Sequence, residues 1–226
     1  MSLLSKHSEE TLELIDLIHT HNIDITNNEI YLVGSEQYIN REDDSDPGVD
    51  FSMASRFIKN LRILTTQSAS PILIHMKSCG GYWEEGMAIY DAIRACPNKT
   101  VILNYNHARS MSSIIFQAAD RRVMMPNSTF MFHEGSIEFS GTPKLLRTEN
   151  EQEIKCLETM LDIYIEALKR GKMKNKSKKK LRDWLIAQMN QKEDVYLDAQ
   201  SAVDYGFADF IFGKRLDYNW DDLRKF

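Results

Sequence analysis

The sequence predicts an α/β fold, and three stretches predict it. Residues 71–76, PILIHM, form a dense apolar run without alternation, the pattern of a strand buried on both faces of a parallel sheet. Lys77-Ser78-Cys79-Gly80-Gly81 follows, then a helical pattern over residues 83–95, so strand, turn and helix form one unit. The same order returns at residues 101–106, VILNYN. There a short turn leads to Ser110, Met111 and the apolar face of a helix through Ala119.

The remaining elements read in order. Residues 7–20 are a helix, with Ser8 as cap, Glu9, Glu10 and Glu13 near its positive end, and Leu12, Ile15, Leu17 and Ile18 as its apolar side. It packs on the body of the protein or on a neighbouring subunit. Asn27 and Asn28 turn the chain into a first strand, EIYLVG, at residues 29–34. Residues 40–50 carry five acids in eleven residues with Pro47 and Gly48, a solvated loop whose acids do not follow the order of an EF-hand. In residues 51–65, Met53, Phe57, Ile58, Leu61 and Leu64 recur at helical spacing. His75, inside the buried run, is expected to be a satisfied core histidine. The paired glycines permit positive φ and close approach of a ligand to backbone N–H groups. Without GxGxxG or GK[ST] they suit an oxyanion better than a phosphate.

Past Arg121 and Arg122 a second extended run occupies residues 129–133. A glycine-bounded segment follows at 135–141, and then a long helix at 144–170 with Leu157, Met160, Leu161, Tyr164, Ile165 and Leu168 as its stripe. That stripe, opposite a very polar side, is expected to serve subunit packing. Residues 169–182 hold nine basic residues in fourteen with no interleaved aromatic, and read as a solvated loop. A short helix at 181–189, a cap at Asp198 for a helix at 200–205, and a last strand at 207–212 complete the body. The tail carries Tyr218, Trp220 and Phe226 and docks on its own chain, a neighbour or a helper protein.

Composition excludes several functions. The 226 residues are 42% hydrophobic and 27% charged, an ordinary globular balance. No run reaches bilayer-spanning length and the N-terminus lacks a basic region ahead of an apolar one, so neither membrane nor secretion is expected. The formal charge of −5 does not favour nucleic acid. Three cysteines, far apart and without CxxC spacing, fit a reducing, cytoplasmic setting. With no HExxH and scattered histidines, neither metal nor cofactor is expected.

Ser110 stands where a strand and turn enter a helix, and His133 stands near the end of the next strand. The first N–H groups of a helix lack partners and attract developing negative charge. A serine there with an imidazole as base would be a nucleophile. On these two residues alone the plainer reading holds: Ser110 caps the helix and His133 packs at a strand end.

The segment resembles the active-site core of the ClpP family, the proteolytic subunits of the caseinolytic protease. The matching pieces are His107-Ala108-Arg109-Ser110-Met111, Ala118-Ala119, Pro126-Asn127-Ser128 and Met131-Phe132-His133. Ser78-Cys79-Gly80-Gly81 with Gly86-Met87-Ala88-Ile89-Tyr90-Asp91 is similar to the family's glycine turn and the helix after it. Asp194-Val195-Tyr196-Leu197, followed by Ala199, Ala202, Gly206 and Asp209, matches its final motif. The resemblance spans residues 29–211 and does not follow the G-x-S-x-G elbow of α/β-hydrolases.

The resemblance implies a ClpP/crotonase-like fold of repeated β-β-α units with a protruding handle helix. It divides the chain into an N-terminal extension at 1–26, a head at 27–142 completed at 191–213, a handle and basic loop at 143–190, and a tail at 214–226. It implies Ser110 as nucleophile, His133 as base, Asp194 as third member, and Gly80 and Met111 N–H as the oxyanion hole. It further implies that the chain beside Gly81 pairs with an extended peptide substrate. Arg109, standing beside the nucleophile, is expected to fill a pocket or meet the substrate, and Glu134 to contact it. The implied activity is that of a serine endopeptidase subunit acting on peptide or unfolded polypeptide. The implied assembly is a homo-oligomeric heptameric ring or stacked rings with an AAA+ unfoldase. Cys79, Arg109, Ser112 and Glu134-Gly135 depart from the family pattern, as in divergent phage and bacterial ClpP-like proteins. A catalytically dormant ring protein acting as scaffold or regulator is the alternative, and acyl-CoA chemistry a remoter one.

Overall fold

The computed structural model describes residues 9–33, 48–136, 138–214 and 220–226. The expected cap at Ser8, residues 40–47 of the acidic loop and Tyr218 lie outside them. Helix α1 (Glu9–His21) leads to β1 (Ile23–Asp24) and β2 (Glu29–Val33). Three strand–helix alternations follow: α2 (Phe51–Gln67), β3 (Ile72–Ser78), α3 (Trp83–Arg94), β4 (Thr100–Arg109) and α4 (Met111–Gln117). Then come β5 (Arg121–Met124), β6 (Thr129–Phe132), α5 (Pro143–Leu168), α6 (Lys178–Lys192), β7 (Val195–Asp198), α7 (Ala199–Tyr205) and β8 (Phe210–Ile211).

The sheet is mixed, in the order β1-β2-β3-β4-β5-β8. All pairings from β2 to β8 along that path are parallel, as the unalternated apolar run at β3 predicts. β4 is long enough to have two partners. Its first half pairs with β5, and residues 107–109 pair with β6, which in turn pairs antiparallel with β7. The sheet therefore forks at β4, and the candidate site lies at the fork.

Local chemistry explains most boundaries. Asp50 caps α2 by accepting from Met53 N–H, and Thr142 caps α5 by accepting from Leu145 N–H with Pro143 behind it. Asp198 caps α7 by accepting from Ser201 N–H at 2.7 Å, and Gly206 ends that helix in the left-handed region. His75 is the expected core histidine: Nδ1 bonds Tyr105 OH at 2.8 Å and Nε2 bonds Glu29 at 2.9 Å.

Four expectations need correction. No turn separates residue 106 from Ser110, because the β6 pairing extends β4 to Arg109. No strand is expected at residues 121–124, yet β5 forms there, with Arg122 buried against Asp209. The α5 stripe is not left for a neighbour. Met160, Leu161, Tyr164, Ile165 and Leu168 enter this chain's own core, where Tyr164 meets Phe130, Phe132 and Phe207. Residues 143–155 of the same helix are exposed. The basic run is only partly a solvated loop. α6 starts at Lys178, where Lys178 and Arg182 pair with Asp162 and Glu158 of α5, and the Arg170 guanidinium donates to Gln117 Oε1 at 2.8 Å. The tail docks on its own chain, with Leu223 buried among Leu73, Val101, Leu103 and Val123.

Candidate active site

Register builds the site. Arg109 at the end of β4 pairs with Met131, and Ser110 N–H continues the ladder to Met131 O at 3.1 Å. Phe132 pairs with Val195 across the β6–β7 ladder. The next residue on β6 is His133 and the preceding one on β7 is Asp194, so an antiparallel register sets them opposite one another. Three ends of adjoining strands thus deliver Ser110, His133 and Asp194 to one edge.

Their side chains are hydrogen-bonded in series. His133 Nε2 lies 2.8 Å from Ser110 Oγ, and His133 Nδ1 lies 3.0 Å from Asp194 Oδ1. The imidazole is partly buried, and the Asp194 carboxylate is more open, 42% exposed. Tyr196 OH donates to the second Asp194 oxygen at 3.4 Å.

Ser110 makes no side-chain cap bond to α4. It sits at φ 49, ψ −128, a backbone conformation that costs a non-glycine residue roughly 1–3 kcal/mol. The surroundings hold it there. Ser113 N–H and Ser113 Oγ both donate to Ser110 O, at 2.9 and 2.6 Å. Ser113 Oγ also bonds the fully buried Tyr164 OH at 2.6 Å, which ties α4 to α5 behind the serine. Burial pushes the Tyr164 phenol well above its ordinary range, so it stays a neutral hydrogen-bonding group.

The glycine turn lies against the serine. Gly80 is at φ +107, and a Cβ there would fall 2.6 Å from Ser110 Cβ and 3.1 Å from Met111 N. Gly80 N–H points at Ser78 Oγ at 3.5 Å, and Ser112 Oγ donates to the same oxygen at 2.7 Å. Val49 runs alongside: its N–H donates to Gly80 O at 2.6 Å and its C=O accepts from Tyr82 N–H at 2.9 Å. A Cβ at Gly81 would lie 2.3 Å from Val49 O, so this pairing needs glycine. Strand alternation turns the N–H and C=O of Gly81 to the opposite edge.

A cleft of about 800 Å³ adjoins the serine and is lined by Ser110, Met111, His133, Gly81 and Glu134 among others. Arg109 does not line it. Its guanidinium lies 5.4 Å over the Tyr196 ring, with Nε buried and unpaired. Adjacent residues of an extended chain point to opposite sides, and the register that presents Ser110 turns Arg109 toward β7.

The Clp protease family model matches residues 38–215 of this chain. The chain belongs to the Clp protease family. It is 29% identical over 166 residues to the ATP-dependent Clp protease proteolytic subunit 2 of Pseudomonas aeruginosa, a match covering 73% of this chain and 77% of that one. It is 28% identical to the corresponding subunit of Deinococcus radiodurans, covering 72% and 76%. A ClpP1 point mutant from Listeria monocytogenes superposes with a TM-score of 0.66 at 21% identity, over 88% of this chain and 96% of that one, and shows the shared fold. ClpP-like protease function in general follows from the family.

Other residues of this ClpP-like site were not evident in the sequence. Val49 sits beside an acidic stretch and has no motif of its own. Ser78 and Ser112 are far apart in sequence and meet only across the β3–α4 junction. Trp83, Glu84, Glu149 and Glu153 line the cleft from α3 and α5. That Leu157 and Met160 of α5 line the same cleft as Ser110 carries no local signal either, because an apolar stripe looks the same whichever surface it meets.

Proposed function

We propose that this chain is a serine endopeptidase subunit that hydrolyses peptide bonds of unfolded polypeptides inside a ring-shaped chamber. The observation that carries the proposal is the continuous series Asp194–His133–Ser110. Ser110 Oγ attacks the scissile carbonyl while His133 Nε2 takes its proton, and His133 returns that proton to the leaving amine. Asp194 accepts from Nδ1–H, which fixes the tautomer and favours the imidazolium that forms. Gly80 and Met111 N–H are the assigned donors to the oxyanion, and the lateral contact of their two segments supports that role. An extended peptide would pair with the outward edge of Gly81 on one side and with the segment at Glu134 on the other.

A homo-oligomeric ring, single or stacked, would enclose the cleft, and an AAA+ unfoldase would supply extended chains to it. The exposed start of α5 carries Leu145 and Leu146, each 45% exposed and outside the cleft lining, which supports a subunit contact there. No helix among the described residues is long and apolar enough to cross a membrane. A cytoplasmic location is part of the same proposal. The test is hydrolysis of a fluorogenic peptide by wild type, Ser110→Ala and His133→Ala. Activity in the wild type and loss in both variants, with an unchanged oligomer by light scattering, is expected. Equal turnover in all three would reject the assignment.

A further inference from the structure

The cleft beside Ser110 has a two-part chemistry. Its deep wall is apolar: Met111, Ile114 and Met160 line it, each 3–4% exposed, with Leu157 and Trp83 beside them. Its outer wall is acidic. Glu84, Glu134, Glu149, Glu153 and Glu193 line it, and no lysine or arginine does. These five carboxylates come from separate places: α3, the segment after β6, two turns of α5, and the residue after α6. None of them takes part in an ion pair among the described residues.

Two of the five, Glu84 and Glu153, meet beside one residue. Cys156 lines the same cleft, and its thiol is pushed up first by burial and then by the charges of Glu153 and Glu84. Carboxylates from two helices therefore act on one point in the cleft. Among the described residues no grouping of His, Cys, Asp and Glu is suited to a metal ion. The matching occupant is an organic cation with an apolar body. Lysine and arginine side chains have that form, several methylenes ending in a charge.

This inference rests on the peptidase reading of the site. We propose that the cleft selects polypeptide segments placing a lysine or arginine next to the scissile bond, with the stem along Met111, Ile114 and Met160 and the cation among the glutamates. A segment with aspartate or glutamate there would meet like charge. The glutamates are exposed, so their attraction is screened by salt. Several such charges acting together correspond to a discrimination of about tenfold at low ionic strength.

Three fluorogenic peptides, differing only in lysine, norleucine or glutamate before the scissile bond, are given to the wild-type protein. Labelled forms of the same peptides are titrated into Ser110→Ala by anisotropy. The expected order in kcat/KM and in affinity is lysine, norleucine, glutamate, with about tenfold between the extremes. That range contracts at high salt, and contracts again when Glu84→Gln and Glu153→Gln are combined on the Ser110→Ala background. Norleucine equal to or ahead of lysine at low salt overturns the proposal. So does a ranking indifferent to salt and to the two glutamines. If no peptide is cleaved but the Ser110→Ala ranking holds, the selectivity stands and the peptidase reading falls.

Discussion

Replacing Gly80 with alanine brings a methyl group against the nucleophile itself. The new Cβ would lie 2.6 Å from Ser110 Cβ, 2.8 Å from Arg109 O and 3.1 Å from Met111 N. Carbon atoms rest at about 3.5–4.0 Å, so one of the two backbones must move by roughly 1 Å. The serine is held by Ser113 and the β6 ladder, and the glycine turn by Val49, so neither side moves without breaking a hydrogen bond. A displacement of about 1 Å at the reacting atoms costs roughly 100-fold in rate. The left-handed φ of +107 adds a backbone cost of about 1–2 kcal/mol for any L-residue. Gly213→Ala separates the two effects, because Gly213 is also at positive φ, +72, but has nothing within 4 Å of its Cβ position. The assay is the second-order rate of fluorophosphonate labelling, with thermal unfolding measured alongside. Both variants are expected to lose stability, while only Gly80→Ala labels about 100-fold more slowly. A Gly80→Ala rate within about threefold of wild type would refute the claim that this turn abuts the reacting serine.

Three further outcomes follow from the same geometry. Asp194→Asn presents an amide to His133 Nδ1 and favours the wrong tautomer. The loss reaches about 10⁴-fold for an enclosed triad, and the openness of Asp194 reduces it here to about 10²–10³-fold in kcat, with KM little changed; a loss below about tenfold would contradict that role. Asp209→Ala leaves the 7%-exposed Arg122 guanidinium without its carboxylate and is expected to cost about 3 kcal/mol in urea unfolding, against near-zero for a solvated pair. Asp198→Ala removes the α7 cap and about 1 kcal/mol at neutral pH. The Ser201 N–H bond holds the Asp198 carboxyl below its ordinary range. A depressed carboxylate stabilises above its unfolded pKa and loses that contribution as pH falls through the folded value. The gap between wild type and Asp198→Ala should therefore close in acid, and a gap that is constant from neutral pH to pH ~2 would contradict the cap.

What local pattern could reveal, it did. The run at residues 71–76 shows a central parallel strand because both faces are apolar, and Asp198 shows a cap because a helical pattern starts behind it. β5 escaped because its first two residues are arginines. The partner that buries Arg122, Asp209, is 87 positions away in sequence and is visible only in three dimensions. The α5 stripe was legible as a stripe but not as to its partner, since periodicity states which side is apolar and not what covers it. Ser110, His133 and Asp194 were legible only together with the motifs around them. Their meeting is a consequence of two registers, β4 on β6 and β6 on β7, that no single segment encodes. Arg109 was read as facing a substrate because it adjoins Ser110, whereas alternation along β4 sends it to Tyr196. The glutamates of the cleft are single residues in separate segments, and each alone looks like ordinary surface charge.

If Ser110 is an activated nucleophile, the assembled protein reacts there with a fluorophosphonate, and intact-mass analysis beside Ser110→Ala reads that reaction. One adduct per wild-type chain is expected, localised by peptide mapping to Ser110, and none on Ser110→Ala. An unlabelled wild-type protein in its assembled state, or an adduct that persists in Ser110→Ala, would contradict it.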